Sequence, residues 1–278
     1  MTQLLLPLQL IGSLFYLIIV TIIIPRVSRS DTKRNIFPRQ PIVYYLGFYF
    51  YSTFTLLYLF HLTSSLTIII NLLLLAIGKV IGLKLRLIGL TGNICGGKHS
   101  VGEYLKHRYN ASIITSEEMY NYIIRNRKIE EEMRSLDDMN EVDMLNFNKE
   151  VIFNEKFANL VERELKVKIY FFLLKRVVID KILYQKQFVF LEFDLLLKFN
   201  FLSVICFPIV SVCNSEKEVV ISRMRRKYHF TDEKVYEVYS NQITLEEFNL
   251  KSDKVIYNED TLATLERKID RFMSNIFV

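Results

Sequence analysis

From Leu4 to Pro25 the chain runs for 22 positions without a charged side chain, and this run limits its amino-terminal part more than any other feature. A helix rising 1.5 Å per residue over that length crosses the roughly 30 Å hydrocarbon core of a bilayer. A cleaved secretory signal would carry a basic leader and a shorter apolar core, whereas Met1-Thr2-Gln3 holds no cation. A second uncharged run, Ile42 to Leu62, is rich in Tyr and Phe and is also long enough to span. A third, Leu66 to Gly78, reaches spanning length at Leu83 when Lys79 snorkels. The expected organisation is a membrane segment over residues 1–84, with spans at 4–25, 42–62 and 66–83, and a separate domain over 85–278.

Charge follows the same division. Residues 1–86 hold eight basic side chains and one acid, Asp31, which leaves 28 basic and 29 acidic residues for positions 87–278. The net charge of +6 is therefore +7 in the first part and −1 in the second. A basic chain raises the question of nucleic acid, but here the excess belongs to the hydrophobic part and not to a folded basic patch. The acidic partner expected is lipid headgroup, with no nucleic acid. Residues 26–41 carry five basic residues and Lys79, Lys84 and Arg86 follow the third run, while the turn between the second and third runs carries none. Cytoplasmic loops collect Lys and Arg, so a multi-pass arrangement with the domain facing the cytoplasm is expected. The endoplasmic reticulum is the default membrane, because no Arg-rich, acid-poor presequence directs the chain elsewhere.

After Arg86 the pattern changes. Leu85 to Leu90 reads as a short aliphatic strand, Thr91 to Ser100 as a glycine loop, and Val101, Tyr104, Leu105 and Arg108 as the start of a helix. Strand, glycine loop and helix is the setting in which a phosphate loop has a mechanism. Glycines let backbone N–H groups turn toward phosphate oxygens, the helix dipole adds to them, and a lysine reaches the outer phosphates. Gly92 and Gly97-Lys98 stand at the spacing G-x-x-x-x-G-K, so Gly92, Asn93, Ile94, Cys95, Gly96, Gly97, Lys98, His99 and Ser100 are the candidate phosphate-binding residues. The pattern wants Ser or Thr after the lysine to place a hydroxyl on Mg2+, and His99 stands there. Ser100, the next hydroxyl, is the candidate metal ligand, although one helical residue turns it by about 100°.

The segment Leu87-Ile-Gly-Leu-Thr-Gly-Asn-Ile-Cys-Gly-Gly-Lys-His-Ser-Val101 resembles the opening of dephospho-CoA kinases, hydrophobic-G-L-T-G-G-I-x-S-G-K-S-T-V. The resemblance continues in order. Ser112 to Met119 is similar to the family's V-I-D-A-D-x-I-A-R element, and Phe188 to Lys198 to its strand ending D-I-P-L-L-F-E. Val219 to Arg226 resembles the lid pattern L-x-R-L-x-x-R, Asn241-Gln242 the S-Q of the next helix, and Lys254 to Asn258 the motif V-I-x-N-S-G. It covers about residues 87–275. The fold implied is an α/β P-loop NTPase-type parallel sheet with helices on both faces and a helical lid.

The resemblance implies transfer of the ATP γ-phosphoryl group to the ribose 3′-hydroxyl of dephospho-CoA, the last step of coenzyme A synthesis, with ATP and Mg2+ as cofactors. It assigns Lys98 to the β- and γ-phosphates, Arg223 and Arg226 to the lid, and Asn258 to the nucleotide side. Arg223 and Arg226 lie three apart and so on one helix face. On the acceptor side the chain departs from the pattern. Thr115 stands where the family has its general base, and a hydroxyl does not accept a proton at neutral pH. Glu117 occupies the second acidic position and is the candidate catalytic carboxylate, with Glu118 beside it. Glu192, Asp194 and Lys198 replace the Asp, Pro and Glu of the strand motif, and no His-Pro pair occurs in Asn159 to Lys168. The alternative reading is a catalytically inactive pseudokinase serving as a membrane-bound scaffold. His99, His107 and His229 read as surface or core histidines. The acidic run Glu130-Glu131-Glu132 to Asp143 reads as a solvated helical insertion. Cys95, Cys206 and Cys213 lack metal-ligand spacing and read most simply as free thiols, although a helix N-terminus, where Cys95 stands, is a place that can lower a thiol pKa.

Overall fold

The computed structural model describes residues 86–136, 147, 151, 155–229 and 231–276. The chain divides between Arg86 and Leu87, and the domain that follows is the part described. The three expected spans lie outside the described residues. Among those described, no helix is long and apolar enough to cross a membrane.

The domain is built on five parallel strands: β1 (Leu87–Thr91), β2 (Ala111–Ile114), β3 (Phe188–Glu192), β4 (Cys206–Cys213) and β5 (Lys254–Tyr257). Their spatial order is β2-β3-β1-β4-β5, and every neighbouring pair is parallel. A parallel sheet is covered on both faces, so its strands read as continuous apolar runs, as in Leu-Ile-Gly-Leu-Thr and Phe-Val-Phe-Leu-Glu. All five residues of β1, the central strand, are buried.

The two faces of β1 are covered differently. Ile88 and Leu90 join a core with Val101 and Leu105 of α1 (Lys98–Tyr109) and with Leu265, Ile269 and Met273 of α9 (Leu262–Ile276). Gly89 faces the other side, where a Cβ would come within 2.6 Å of Leu196 Cδ2. The remaining helices with both ends among the described residues are α2 (Ser116–Ile124), α3 (Arg127–Leu136), α4 (Glu155–Val178), α5 (Asn200–Ile205), α6 (Lys217–Tyr228), α7 (Asp232–Ser240) and α8 (Leu245–Lys251). Helix α4 continues into a π-helical turn, Ile179–Leu183, before β3.

The connection leaving β1 leads to β2 on one side of the sheet and the connection leaving β4 leads to β5 on the other. The crevice at the carboxyl ends of β1 and β4 is thus a topological switch point, where open α/β sheets place their ligands.

Candidate functional site

The β1–α1 loop occupies that crevice, and its shape comes from residues that tolerate left-handed backbone. Gly92 has φ +146°, Cys95 +56° and Gly97 +105°. A Cβ on Gly92 would stand 1.9 Å from the Val212 carbonyl oxygen, so the loop is pressed onto β4. Glycine is the residue that fits there, on both conformation and space.

Helix α1 starts at Gly97 with no side-chain cap and no acidic residue in its first turn. The first N–H groups of a helix have no partner inside it, and here nothing from the helix itself neutralises them. The arrangement suits an anion at the helix N-terminus. Lys98 folds back over the loop. Its ammonium donates to the carbonyls of Gly92 at 3.2 Å and Asn93 at 2.8 Å, and it pairs with the Asp194 carboxylate at 3.1 Å. Lys98 is buried, whereas the Asp194 side chain is 28% exposed, so the pair sits at the mouth of the crevice.

Three asparagines fix the loop to the ends of β4 and β5. Asn93 Nδ2 donates to the Asn214 carbonyl at 2.8 Å, and the Asn214 N–H donates back to Asn93 Oδ1 at 3.1 Å. Asn214 Nδ2 donates to the Asn258 carbonyl at 2.5 Å, and Asn258 Nδ2 donates to the Gly96 carbonyl at 2.9 Å. Buried hydrogen bonds of this kind hold a unique loop conformation, because leaving any one group unpaired is costly. Asn258 is therefore a brace behind the loop. A Cβ on Gly97 would meet its amide at 2.3 Å.

The α6–α7 pair rests on the crown of the loop. Val220, Ile221, Met224 and Val235 form an apolar cluster against which Ile94 and Cys95 pack. Arg223 Nη1 donates to the Cys95 carbonyl at 3.1 Å, so one of the two expected lid arginines is at the loop. Arg226 is exposed, and Arg225, between them, pairs with Asp232 at 2.8 Å. Gln242, after α7, accepts the Ile94 N–H at 2.8 Å through Oε1. Its buried Nε2 has no hydrogen-bond partner among the described residues. It lines a cleft of about 270 Å³ with Gly92, Ile94, Asp194, Lys198 and Phe248.

The acceptor-side residues are placed by β2 and β3. Thr115 is the N-cap of α2, and its hydroxyl oxygen accepts the Glu118 N–H at 3.2 Å. Glu117 is exposed in the first turn of that helix, and Glu118 faces Arg176 at 3.6 Å. Glu192 ends β3 in register with Leu90 of β1. Its carboxyl lies beneath α1, with Oε2 3.4 Å from where a Gly102 Cβ would stand. Burial pushes this carboxyl above the usual range, against the pull of the Lys98 ammonium.

Several expectations change here. Burial raises the Cys95 thiol and outweighs the nearby Lys227, Lys98 and Arg223 charges, so the alternative of a lowered, reactive thiol does not hold. Cys95, Cys206 and Cys213 are thiols, with no disulfide among them. His99, His107 and His229 are exposed, and Ser100 is exposed beside His99. In the sequence Asp194 reads only as a replacement for proline, whereas in the structure it is the carboxylate at the loop. Asn214 carried no motif, its only signal being its place directly after a buried strand.

Among the described residues no group of three or more His, Cys, Asp or Glu side chains forms a metal cluster. Mg2+ does not need one, since it is held by one or two carboxylates, waters and substrate phosphates. The Asp194 carboxylate at the mouth of the crevice is a donor of that kind, while the Ser100 hydroxyl is exposed on α1.

Residues 86–264 match the family described as dephospho-CoA kinase. A dephospho-CoA kinase of Fusobacterium nucleatum is 27% identical over 206 residues, which span 70% of this chain and 100% of that protein. Among solved structures, TT1252 from Thermus thermophilus aligns with a TM-score of 0.52 at 19% identity, covering 68% of this chain and 97% of the other. That alignment matches the parallel α/β architecture described above.

Proposed function

Because the chain belongs to the dephospho-CoA kinase family, we propose that it is a membrane-anchored kinase that phosphorylates the ribose 3′-hydroxyl of dephospho-CoA with ATP. The observation that carries the reading is the uncapped N-terminus of α1 on a braced glycine loop, with Lys98 over the loop and Arg223 on its crown. In the reaction the 3′-oxygen attacks the γ-phosphorus, the bond to the β-bridging oxygen breaks, and the hydroxyl proton leaves to a base. Transfer of this kind depends on alignment and charge neutralisation. In this reading the α1 N–H groups and Lys98 hold the β- and γ-phosphates, and Arg223, beside the loop at the Cys95 carbonyl, is the cation that would meet the charge building on the transferred group. Mg2+ neutralises phosphate charge when bound, and Asp194 is the residue that would hold it.

Two carboxylates compete for the role of base. Glu117 is exposed at the acceptor side, and Glu192 is buried beneath α1, where burial raises its affinity for protons. The anchor in this reading is residues 1–84, with the kinase domain facing the cytoplasm.

A second reading, an inactive kinase serving as a membrane scaffold, is favoured by two observations. The Thr115 hydroxyl caps its own helix, and Asp194 occupies Lys98. Purified full-length protein with ATP, Mg2+ and dephospho-CoA decides between them. Formation of ADP and CoA, lowered about 100-fold or more by Lys98→Ala, is expected. Nucleotide binding without turnover at any Mg2+ concentration establishes the scaffold instead.

A further inference from the structure

Helix α4 is apolar on two sides, and folding accounts for only one. Phe157, Val161, Leu165, Ile169, Leu173 and Val177 repeat every four residues and are buried, each at 3% exposure or less. This inner row supplies the single apolar stripe that a packed helix requires. On the outer side Val167 is 62% exposed and Phe171 64%, and the π turn adds Ile182 at 64%, Leu183 at 70% and Tyr184 at 62%. The spacing from Val167 through Phe171, Leu174, Val178 and Ile182 is four, three, four and four, so these residues lie along one side of the helix. Exposed lysines border the row, Lys166 on one edge and Lys168 and Lys175 on the other. The acid nearest the row, Glu164, is paired with Arg163 at 3.0 Å and Lys128 at 3.1 Å.

We propose that the outer side of α4 and its π turn lies on an anionic lipid surface, apolar row in the headgroup boundary and lysines on the phosphates. An apolar row with cationic borders is the pattern of a helix lying in the plane of the interface. The lysine stems cover apolar surface while their ammonium groups reach anionic headgroups. The lipid is also the occupant that this chain brings with it. Its uncharged run from Leu4 to Pro25 holds a bilayer within reach of the domain, which raises the effective concentration of that surface above that of any free partner. The topology agrees, because the π turn leads into β3, where Val189 pairs with Leu87, the residue at which the chain enters the domain. The phosphate loop lies at the opposite, carboxyl ends of the strands, so a helix docked this way leaves it open to water. The inference rests on the anchored reading and extends it from a tether to a seated domain.

The chain contains no tryptophan, so one introduced residue reports its own surroundings. Full-length Phe171→Trp and Leu183→Trp proteins are reconstituted into phosphatidylcholine vesicles with and without phosphatidylserine, with acyl chains brominated near the glycerol. Leu262→Trp, at an exposed position by the carboxyl end of β5, is the control, and flotation reports insertion separately. With anionic lipid, emission of the first two variants falls about twofold or more on bromination while the control is unchanged, as expected for a face 5–10 Å into the boundary. Adding Lys166→Glu, Lys168→Glu and Lys175→Glu returns both to the control level. Flotation with emission no more quenched than the control overturns the docking while leaving the anchor intact. A blue-shifted emission that bromination does not quench assigns the face to a protein, including a second copy of this chain, and also overturns it. A chain that does not float overturns the anchored reading, and the docking with it.

Discussion

The donor and acceptor sides of the crevice are built from different strands of one sheet, β1, β4 and β5 against β2 and β3, and their polar groups are used in different ways. On the donor side the polar side chains point from one element to another. Asn93, Asn214 and Asn258 join three strand ends, Gln242 reaches from beyond α7 to Ile94, and Arg223 reaches from α6 to Cys95. On the acceptor side they cap a helix or tie β2 and α2 to α4 and its π turn, and the loop is not what they hold. Thr115 caps α2, Ser112 and Arg176 converge on the buried Asp180 at 2.6 and 3.2 Å, and Glu118 faces Arg176. A phosphate cradle depends on backbone shape, which long-range bonds maintain. An acceptor site depends on a carboxylate that is left unpaired, and such a group is easily replaced by one that stabilises the fold locally.

The strongest way to break this comparison is to return the missing group. Thr115→Asp places a carboxylate at the base position of the family. The fold should tolerate it, because Asp caps a helix at least as well as Thr. If the acceptor side lacks only its base, kcat rises about 100-fold, the lower range for a positioned general base, with the KM for ATP unchanged. Steady-state kinetics with dephospho-CoA checks this. An unchanged kcat places the base elsewhere, on Glu117 or Glu192.

The donor side is tested through its ion pair. Asp194→Asn removes the negative charge from beside Lys98 and keeps a hydrogen-bonding side chain of the same size. Without Mg2+, ATP binds about tenfold more tightly, the effect of roughly 1.4 kcal/mol, as lysine no longer divides its charge between carboxylate and phosphate. With Mg2+ the gain shrinks or reverses, because the same carboxylate is a donor available to the metal. Titration calorimetry with and without Mg2+ reads both. Equal gains in the two conditions exclude Asp194 as a metal ligand.

What was legible in the sequence follows the same division. The strand, loop and first helix could be read because their signals are local: an aliphatic run, then Gly92 and Gly97-Lys98 at fixed spacing. The partner of Lys98 could not, since Asp194 lies 96 positions away and reaches the loop through the register of β3 against β1. The direction of the Cys95 shift is hidden from the sequence for a related reason. Position at a helix N-terminus is visible in sequence, whereas the apolar lid cluster that buries the thiol is a tertiary fact. The outer row of α4 was also obscured, because its apolar residues alternate with an equally apolar inner row and the sequence does not say which row is covered.

The smallest effect concerns Glu192, where the two sides meet beneath α1. Burial raises its carboxyl above the ordinary value of 4.5. In the window between 4.5 and the raised folded value, the unfolded chain has lost a proton that the folded chain keeps. The unfolded state then binds fewer protons, so stability contributed by this group is full below the ordinary value and falls as pH rises through the window. The slope cannot exceed about 1.4 kcal/mol per pH unit for one proton. Glu192→Gln keeps the shape and removes the proton, so the difference in urea midpoint between variant and parent should grow with pH across the window and level off above it. Tyrosine circular dichroism of the full chain in detergent follows the transition. The same variant sharpens the assignment of the base: turnover that survives it leaves Glu117 as the carboxylate in reach, while turnover lost with nucleotide affinity intact gives the buried carboxyl the role that Thr115 cannot fill.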